Sequence, residues 1–529
     1  MTNTVNDTVL LSSEIRRLDE NSTLLGISPL QLMEAAGKSV ADILSTRVNV
    51  KNKKVVVVAG TGNNGGDGFV TARYLANCGA FVTIILVGKE DDIRTKEAKR
   101  NWLILKGLRL STKLYEAPDI DSLLKLRDEI INADIIIDAI FGIGFRGKIR
   151  EPYATAIRLM NESKGFKIAI DIPSGIEADT GNAGGEAFKA NLTVTFQAMK
   201  PGLLKAKEYS GEVIVTNIGI PIEAKYIISL SDVRRCFKKR NIFAKKGDYG
   251  RVLIVGGSFT FTGAPTLSAL AAFQTGIDLA FILAPKNIIN VIRSYSPDII
   301  AIPLKSEDYL STRDVDLILG WCKKVDVMVI GPGLGLEEET KKAVREIVSK
   351  ADLPIVIDAD GIKALSGYLD LVKSKRVVFT PHSKEFEILT GKPFPPPVDI
   401  INRMRVAKEV AKTYNVVFLV KGREDIITDG DKVRLNMTGN ALMTVGGTGD
   451  TLTGIIAALI AKGIPLLDAA CAAAFLNGLA GDIASNHEVY ITAYKLIKYI
   501  PEAIRTVLKE DIVERSHIYN TLFEFDSET

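Results

Sequence analysis

Residues 55 to 70, VVVVAGTGNNGGDGFV, combine a buried apolar run with a glycine-rich turn and the start of a helix. Gly60, Gly62 and Gly65 satisfy the spacing G-x-G-x-x-G, which directs backbone N–H groups and the positive end of a helix dipole at one point. A phosphate group binds well at such a point. The spacing alone is weak evidence, because a tight turn without a ligand produces the same pattern.

The polar residues of this turn do not fit the usual site for NAD as a cofactor. Such a site has an acid at the end of the second strand, which binds the ribose hydroxyls. The second predicted strand ends at Leu86–Lys89, and the first acid after it is Glu90. Asn63, Asn64 and Asp67 also crowd the turn with groups that a cofactor loop does not need. A bound dinucleotide could therefore be either a cofactor or a substrate.

Two carboxylates stand where later apolar runs end. IIIDAIFGIGFRG places Asp138 at the end of a predicted strand and before a glycine loop, and IAIDIPSG places Asp171 and Ser174 in a similar position. Ligand sites of parallel sheets lie at the carboxyl ends of the strands, so we expect these loops to converge with the glycine turn. The alternative is that Asp138 and Asp171 only cap helices.

A second chemical motif lies in VGGTGDTLTGIIAALIAKG, residues 445–463, where G-x-G-D precedes a predicted helix. Backbone amides there can stabilise a developing phosphoryl charge, and Asp450 can take a proton from an attacking hydroxyl. Three segments accompany it, namely VIGPGLG, TPHSKEFEILTG and LVKGRED. His382 follows a strand in the second of these, which favours substrate contact over a hydrogen-bonded core position.

Apolar runs alternate with amphipathic stretches from end to end, which predicts an α/β protein. Strands are predicted at 55–59, 82–87, 135–139, 168–170, 192–196, 213–216, 251–258, 281–283, 327–330, 355–357, 377–380 and 417–421. A basic, irregular segment follows Asn217–Pro221 and continues to Gly250. We therefore expect one domain at residues 1–225, a second at 226–511, and a polar tail at 512–529.

Length and composition are typical of a globular protein with more than one domain. The chain has 529 residues, 47% hydrophobic and 25% charged, and its net charge of +4 argues against a nucleic-acid partner. The N-terminus lacks the pattern of a signal peptide, and Lys462, Pro465 and Asp468 interrupt the longest apolar stretch. We expect a cytoplasmic protein without a membrane partner. We also expect a homo-oligomer, although the sequence does not fix the number of copies.

The cysteines and histidines do not indicate a metal site. The four cysteines include no C-x-x-C pair, and the three histidines lack the spacing of metal ligands. The sequence therefore predicts neither a zinc site nor a redox motif.

Two families share these motifs. NNGGDG, DAIFGIGFRG and DIPSG, with SSEIRRLDE and LMEAAG before them, resemble the YjeF N-terminal family of NAD(P)HX epimerases over most of residues 10–222. The motifs of the second half, together with TGAPTLSALAA at 262–272, resemble the ribokinase-like fold and most closely the ADP-dependent NAD(P)HX dehydratases. The resemblance implies two three-layer αβα domains, Rossmann-like at the N-terminus and ribokinase-like at the C-terminus.

The resemblance also implies a repair function in which the dinucleotide is the substrate. NADH and NADPH can add water across the nicotinamide ring and become hydrates, NADHX and NADPHX. The first domain would interconvert the R and S hydrates. The second would dehydrate the S hydrate with ADP as phosphoryl donor, giving AMP and phosphate.

In the first domain the resemblance implies that Asp171 manages the proton at the hydroxyl-bearing carbon, and that Asn64, Asp138 and Ser174 bind K⁺. Oxygen ligands suit a hard cation, but their spacing does not distinguish potassium from sodium. The residues expected to bind the hydrate are Asn63, Asn64, Gly65, Gly66, Asp67, Gly142, Ile143, Gly144, Phe145, Arg146, Gly147, Lys148 and Asp171.

In the second domain Asp450 would activate the ring hydroxyl, and Mg²⁺ is expected with ADP to balance the nucleotide charge. The residues implied in hydrate binding are Ala264, Gly333, His382 and Asp450. Those implied in nucleotide binding are Lys421, Gly422, Arg423, Glu424, Asp425, Gly446, Gly447, Thr448 and Gly449.

Two alternative functions remain open on the sequence. One is a small-molecule kinase of the ribokinase class with a non-catalytic Rossmann-like binding domain, which would release a phosphorylated product instead of orthophosphate. The other is a binding role for the first half, because YjeF N-terminal-like domains also occur in mRNA-decapping scaffold proteins. The intact Asp138, Asp171 and Ser174 favour a catalytic domain.

Overall fold

The computed structural model describes residues 9–237 and 240–509. They form two compact units, which divide between Lys225 and Tyr226. The predicted polar tail, residues 512–529, lies outside the described residues. We call the two units unit 1 and unit 2 and describe each by itself.

Unit 1 is built on a parallel sheet. Within its described residues seven strands follow the order β3-β2-β1-β4-β5-β6-β7, and every neighbouring pair is parallel. The order reverses between β1 and β4, which opens a crevice at the carboxyl ends of these two strands. The strands are β1 Lys54–Ala59, β2 Phe81–Leu86, β3 Thr112–Glu116, β4 Ile135–Ala139, β5 Phe166–Ile170, β6 Leu192–Phe196 and β7 Glu212–Thr216.

Helices cover both faces of this sheet. Val55 and Val57 belong to one hydrophobic core and Val56 and Val58 to another, because successive side chains of a strand point to opposite faces. The helices are α1 Ser12–Leu24, α2 Pro29–Arg47, α3 Asn63–Asn77, α4 Lys96–Gly107, α5 Ile120–Lys125, α6 Arg127–Ile131, α7 Tyr153–Glu162, α8 Pro201–Lys205 and α9 Lys207–Ser210.

Unit 2 has a larger, mixed sheet. In its described part nine strands follow the order β10-β9-β8-β11-β12-β13-β14-β15-β16, in which β8 to β14 are parallel and β15 and β16 antiparallel. The strands are β8 Arg251–Val255, β9 Leu279–Ala284, β10 Ile300–Pro303, β11 Val327–Ile330, β12 Ile355–Ile357, β13 Val377–Phe379, β14 Val417–Val420, β15 Asp425–Thr428 and β16 Val433–Asn436.

Two layers of helices pack against this sheet. Helices α11, α18, α19 and α20 pack together on one face, and α13, α14, α16 and α17 contribute to the core of the other. The helices are α10 Leu230–Arg234, α11 Ala264–Gln274, α12 Ile289–Tyr295, α13 Val315–Cys322, α14 Glu338–Lys350, α15 Asp360–Ala364, α16 Ser383–Thr390, α17 Ile400–Tyr414, α18 Thr448–Ala461, α19 Leu466–Ser485 and α20 Ala493–Leu508.

Helix α19 is mostly apolar, although it includes Asp468, Asn477 and Asp482. Among the described residues it is the one helix long and apolar enough to cross a membrane, judged by length and composition, and 72% of its apolar window is buried inside the protein. It packs between α18 and α20.

The α/β prediction is confirmed, but several elements differ from the sequence prediction. Strands β3, β10, β15 and β16 were not predicted, because β3 carries the polar residues of Thr112–Glu116 and the other three are only 4 residues long and lie at a sheet edge or in a hairpin. The amphipathic stretch between β3 and β4 forms two short helices, which meet at Leu126. A central strand is buried on both faces and is recognised in the sequence as a continuous apolar run. An edge strand does not need such a run.

The glycine turn after β1 brings backbone close to backbone. A Cβ atom added to Gly65 would lie 2.0 Å from the carbonyl oxygen of Gly60, whereas one added to Gly62 meets no other described atom within 4 Å. Gly65 therefore permits α3 to begin directly against the end of β1.

We predict that Gly65→Ala destabilises unit 1 by about 1–3 kcal/mol, because the added methyl group forces the turn apart. Gly62→Ala is the matched control and should lower the free energy of unfolding by no more than about 1 kcal/mol, the cost of an alanine at the N-cap of α3. Trp102 is buried in unit 1, and the chain has two tryptophans, so the background Trp321→Phe leaves a reporter for this unit alone. Equal urea midpoints for the two alanine variants, followed by Trp102 fluorescence, would contradict the close-contact explanation.

Candidate active sites

A cavity of about 760 Å³ lies at the carboxyl end of the unit 1 sheet. Its size is that of a small-molecule site. The walls come from the loops after β1, β4, β5 and β6 and from one face of α1. Of the predicted hydrate contacts, the lining includes Asn63, Asn64, Asp67, Gly142, Ile143, Gly144, Phe145, Arg146 and Asp171.

Four of the predicted contacts are not part of the described lining. Gly65 packs against Gly60, and Gly66 packs against the Met33 side chain, so both allow close approach of α3 to its neighbours. The Gly147 N–H donates to Glu177 Oε1 at 3.0 Å. Lys148 is exposed. Their contact with the hydrate stays a prediction.

Asp171 is held in an unusual conformation at the end of β5. Its φ of 65° is left-handed, which is uncommon for a residue with a side chain. Its Oδ1 accepts a hydrogen bond from Lys200 Nζ at 2.6 Å and one from Thr195 Oγ1 at 3.1 Å. Its Oδ2 lies towards the next loop, 3.4 Å from a Cβ placed on Gly142. One carboxylate oxygen is thus anchored, and the other faces the glycine loop.

Lys200 is the anchor, and sequence reasoning did not find it. Its side chain is fully buried, and Nζ also donates to Thr195 Oγ1 at 2.7 Å and to the Phe196 carbonyl at 2.8 Å. A buried ammonium group is stable only when its charge and its three donors are satisfied, and here they are. The signal in the sequence was a lysine shortly after a predicted strand, in QAMKPG.

Three more residues with carboxyl groups line the same cavity, Asp19, Glu20 and Asp67. Burial, together with the charge of Asp171, raises the pKa of Asp19 to about 7, while the charge of Lys200 partly offsets this rise. The same causes raise the pKa of Asp67 well above its usual range. Asp67 was among the predicted contacts, but Asp19, in the segment SSEIRRLDE, was not. Near neutral pH the cavity therefore contains both ionised and protonated carboxyl groups.

The three predicted cation ligands lie on neighbouring elements, with Asn64 in the first turn of α3, Asp138 in β4 and Ser174 in the loop after β5. Asp138 is fully buried and accepts hydrogen bonds from Ser174 Oγ at 2.6 Å and Ser174 N at 2.7 Å. Asn64 lies beside Gly142, and both polar atoms of its side chain are buried without a hydrogen-bond partner among the described residues. Buried amide groups are normally paired, so an unpaired one in a loop cluster fits a cation ligand.

Asp138 also supports its own loops. Its Oδ1 accepts a hydrogen bond from the Ile140 N–H at 3.2 Å, in addition to the contacts with Ser174. Burial raises the pKa of this carboxyl to about 6. The alternative interpretation was that Asp138 only caps a helix, but the backbone N–H groups that it binds are those of Ile140 and Ser174. These lie in two loops rather than at a helix terminus.

In unit 2 the corresponding site surrounds the first turn of α18. Gly447 has a φ of 94°, which a side chain rarely adopts, and a Cβ placed on it would lie 3.9 Å from Asp450 Oδ2. A Cβ placed on Gly449 would lie 3.2 Å from Lys421 Nζ. The G-x-G-D motif and the lysine after β14 thus meet at the N-terminus of this helix, where phosphate groups bind.

Asp358 connects these groups, and sequence reasoning did not find it. This buried carboxylate lies directly after β12 and accepts hydrogen bonds from Lys421 Nζ at 3.1 Å and Thr453 Oγ1 at 2.8 Å. Burial opposes its ionisation, but the charge of Lys421 and the hydrogen bonds from Thr380, Thr453 and Lys421 together outweigh burial and keep the pKa of Asp358 below its usual value. The segment IVIDADG ends a strand with an aspartate, the signal already used for Asp138.

The surroundings of Asp450 make its carboxyl group a weaker acid than that of an exposed aspartate. Burial raises its pKa to about 8, and the charges of Asp358 and Asp360 add to the rise, while Lys421 lowers it. A carboxyl group with such a pKa is a stronger base than an exposed aspartate. Its position in the first turn of α18 places it beside the glycine loop.

The predicted hydrate contacts of unit 2 lie on neighbouring elements. A Cβ placed on Gly333 would be 3.3 Å from Ala264 Cβ, and one on Gly447 would be 2.7 Å from Leu267, so the start of α11 adjoins both glycine loops. His382 caps α16, and its Nδ1 accepts hydrogen bonds from the backbone N–H groups of Lys384 and Glu385 at 3.1 and 3.3 Å. The imidazole is about half exposed.

The segment 421–425 forms a turn that Asp425 holds. Its Oδ1 accepts a hydrogen bond from the Gly422 N–H at 3.1 Å and its Oδ2 one from Asn436 Nδ2 at 3.0 Å. Burial raises the pKa of Asp425 to about 6. Arg423 is largely exposed. The structure therefore gives Asp425 a supporting position, while Lys421 faces the glycine loop.

Acidic and sulfur ligands do not form a metal cluster. Across residues 9–237 and 240–509, no group of three or more His, Cys, Asp and Glu side chains is arranged to hold a metal ion. All four cysteines are free.

Two α/β units, each with titratable groups at the carboxyl ends of parallel strands, have the form of a two-domain enzyme. Residues 29–202 match the family described as YjeF-related protein N-terminus, and residues 252–502 match the family described as NAD(P)H-hydrate dehydratase. The chain belongs to the bifunctional NAD(P)H-hydrate repair enzymes, which join an epimerase domain to a dehydratase domain. This confirms the resemblance and the ribokinase-like fold of the second half.

Relatives of that family match almost the whole chain. The bifunctional NAD(P)H-hydrate repair enzyme of Pyrobaculum aerophilum is 44% identical over 95% of this chain and 99% of its own, and that of Hyperthermus butylicus is 41% identical over 94% and 93%. Among solved structures, the ADP/ATP-dependent NAD(P)H-hydrate dehydratase of Bacillus subtilis, co-crystallised with ATP and Mg²⁺, is 27% identical over 53% of this chain and 98% of its own, with a TM-score of 0.44.

Proposed function

We propose that unit 1 interconverts the R and S hydrates of NADH and NADPH and that unit 2 dehydrates the S hydrate with ADP. The observation that carries the first half is the cavity in which Lys200 anchors one oxygen of Asp171 and leaves the other facing the glycine loop. The observation that carries the second half is Asp450 beside the N-terminus of α18, with Lys421 held by Asp358.

Dehydration needs an activated leaving group, because hydroxide leaves poorly and phosphate leaves well. Asp450 takes the proton of the ring hydroxyl, whose oxygen attacks the terminal phosphorus of ADP while AMP departs. The amide groups of Gly446–Gly449 and the ammonium group of Lys421 stabilise the charge on the transferring phosphoryl group. Loss of phosphate and of a proton from the adjacent ring carbon then restores the double bond of NAD(P)H.

Mg²⁺ would accompany ADP. This ion usually keeps several waters and is held by substrate phosphates with one or two carboxylates, so a site with few protein ligands suits it. It would neutralise phosphate charge in the site.

K⁺ would belong to unit 1. The unpaired amide of Asn64 and the oxygens of Asp138 and Ser174 fit a hard cation, and the bound ion would contribute positive charge beside the hydrate. A cytoplasmic location and a homo-oligomeric state stay predictions.

The two activities should separate between the domains, here proposed to meet near residue 225. Each unit has its own sheet and its own site, so each should fold alone. Residues 1–225 should equilibrate the R and S hydrates without nucleotide, and residues 226–511 should dehydrate only the S hydrate and release orthophosphate. Chromatography of the two epimers and a phosphate assay measure this. Release of a phosphorylated product by the second fragment would support the alternative, a small-molecule kinase.

Potassium dependence should follow the loops of Asn64 and Asp138. We expect Asp138→Ala to abolish the stimulation of epimerisation by KCl, measured against NaCl at constant ionic strength, and to leave dehydration of the pure S hydrate unchanged. Because Asp138 also binds backbone groups, Asn64→Leu is the cleaner variant, since its amide makes no hydrogen bond to described residues that the leucine would break. Undiminished KCl stimulation in Asn64→Leu would exclude this site.

Dehydration should depend on the ionisation of Asp450. Its pKa is raised to about 8, so the carboxyl is protonated below that pH and cannot act as a base. We expect kcat/KM for the S hydrate to rise with pH and to level off above pH 8.

Asp450→Asn should remove this pH dependence and lower the dehydration rate by about 10²–10⁴-fold, because an amide cannot accept the proton. Calorimetry should show nearly normal ADP binding, since Lys421 and the glycine amides remain, and epimerisation should be unaffected. A dehydration rate close to that of the wild type in Asp450→Asn would mean that Asp450 is not the base.

A further inference from the structure

Helix α1 contributes one face to the unit 1 cavity. Ile15, Arg16, Asp19, Glu20 and Thr23 line the cavity at helical spacing. Asp19 lies before residue 29, where the match to the family begins. It reaches the cavity from the helix, whereas Asp171 reaches it from the end of β5.

Epimerisation at a carbon requires chemistry on both of its faces, and Asp171 accounts for one. Its Oδ1 is bound by Lys200 and Thr195, which leaves Oδ2 towards the glycine loop. Lys200 does not supply a second acid, because its three protons are all donated within the buried cluster. A second group must therefore come from another wall of the cavity.

Besides Asp171, the carboxyl groups of Asp19, Glu20 and Asp67 line the cavity, and of these we select Asp19 as that second group. Burial and the charges of Asp171 and Asp19 raise the pKa of the Asp67 carboxyl well above its usual range, which disfavours it as a proton acceptor. Asp19 has a pKa of about 7, so both of its forms exist under ordinary conditions. Arg146 also lines the cavity, but its guanidinium group already forms an ion pair with Asp179, with 2.5 Å between Nη2 and Oδ2.

We propose that Asp19 is the second acid–base residue of the epimerase and works together with Asp171. This inference rests on the proposed function of unit 1 and assigns a catalytic residue to it. The co-reactant is water, for which a cavity of about 760 Å³ has room.

The chemistry follows from the substrate. The hydroxyl-bearing carbon is bonded to the ring nitrogen, whose lone pair can expel a protonated hydroxyl. In one direction Asp19 donates its proton to the hydroxyl, the C–O bond breaks, and water leaves a C=N cation. A second water attacks the opposite face and gives its proton to the Asp171 carboxylate. The substrate has exchanged one oxygen, and one proton has moved from Asp19 to Asp171. The reverse reaction exchanges the two roles.

The first test uses the wild-type chain in H₂¹⁸O without nucleotide. Each conversion of R to S hydrate should place one ¹⁸O in the product, measured by mass spectrometry on the separated epimers after subtraction of exchange without enzyme. Product formed without the label would overturn the proposal, because the C–O bond would not have broken. If the wild-type chain forms no S hydrate, the proposed function itself fails, which is a distinct result.

The second test uses variants of Asp19 in the full chain. Asp19→Asn should lower epimerisation about 10²-fold or more, with dehydration of the S hydrate unchanged. The charge-matched control is Asp42→Asn, at an exposed residue of α2, which should epimerise normally. Epimerisation by Asp19→Asn within threefold of the wild type would overturn the proposal.

A chemical rescue separates catalysis from support of the helix. In Asp19→Ala, added formate should fill the space and raise the epimerisation rate at least tenfold in a saturable manner. Formate should not affect the wild type or Asp42→Asn. A rate for Asp19→Ala that does not respond to formate would overturn a role in proton transfer, because a carboxyl that only supported the fold would give that result.

Discussion

The arrangement of strand ends in unit 1 depends on the buried ion pair between Lys200 and Asp171. A fully buried ammonium group needs a carboxylate and two further acceptors, and Asp171, Thr195 and the Phe196 carbonyl provide them at 2.6 to 2.8 Å. Removing one partner of such a pair would leave an uncompensated charge, at a cost of about 3–5 kcal/mol. The ends of β5 and β6 must therefore stay in register. This also makes the adjoining wall of the cavity rigid.

Unit 2 also has a buried ion pair at the ends of its strands, formed by different residues. Asp358 and Lys421 pair at the ends of β12 and β14, and Thr453 of α18 adds a hydrogen bond to the same carboxylate. The pair thereby fixes the start of α18 against two strands. Asp450, in the next position of the helix after Gly449, is destabilised as an anion by that carboxylate and stabilised by that lysine. One buried ion pair thus supports the glycine loop and affects the pKa of the neighbouring Asp450 carboxyl.

The parts of the structure that the sequence predicts well are those with one strong physical signal. Central parallel strands such as Val327–Ile330 are buried on both faces and read as continuous apolar runs, so their position was predictable. Edge strands such as Thr112–Glu116 carry no such run. Motifs of glycine and aspartate at strand ends located both candidate sites, although the roles of their residues stay predictions.

The residues that the sequence did not predict act through distant contacts. Lys200, Asp358 and Asp19 belong to no spacing rule, and their partners lie far away along the chain or across a cavity. Only the folded chain shows that Lys200 meets Asp171 or that Asp358 meets Lys421. An aspartate at a strand end is a usable signal, as Asp138 and Asp358 both illustrate, but a single buried lysine is not distinguishable in sequence from an exposed one.

The left-handed backbone of Asp171 restricts how this position can vary over generations. With a φ of 65°, the residue must be one that tolerates this region, which in practice means glycine, asparagine or aspartate. Single-base changes of an aspartate codon lead readily to asparagine and glycine, and neither supplies a carboxylate to Lys200. Glutamate would keep the charge but strain the backbone. Replacement of this aspartate is therefore disfavoured both by backbone conformation and by the loss of charge. No residue reached by a single-base change satisfies both requirements in an epimerase.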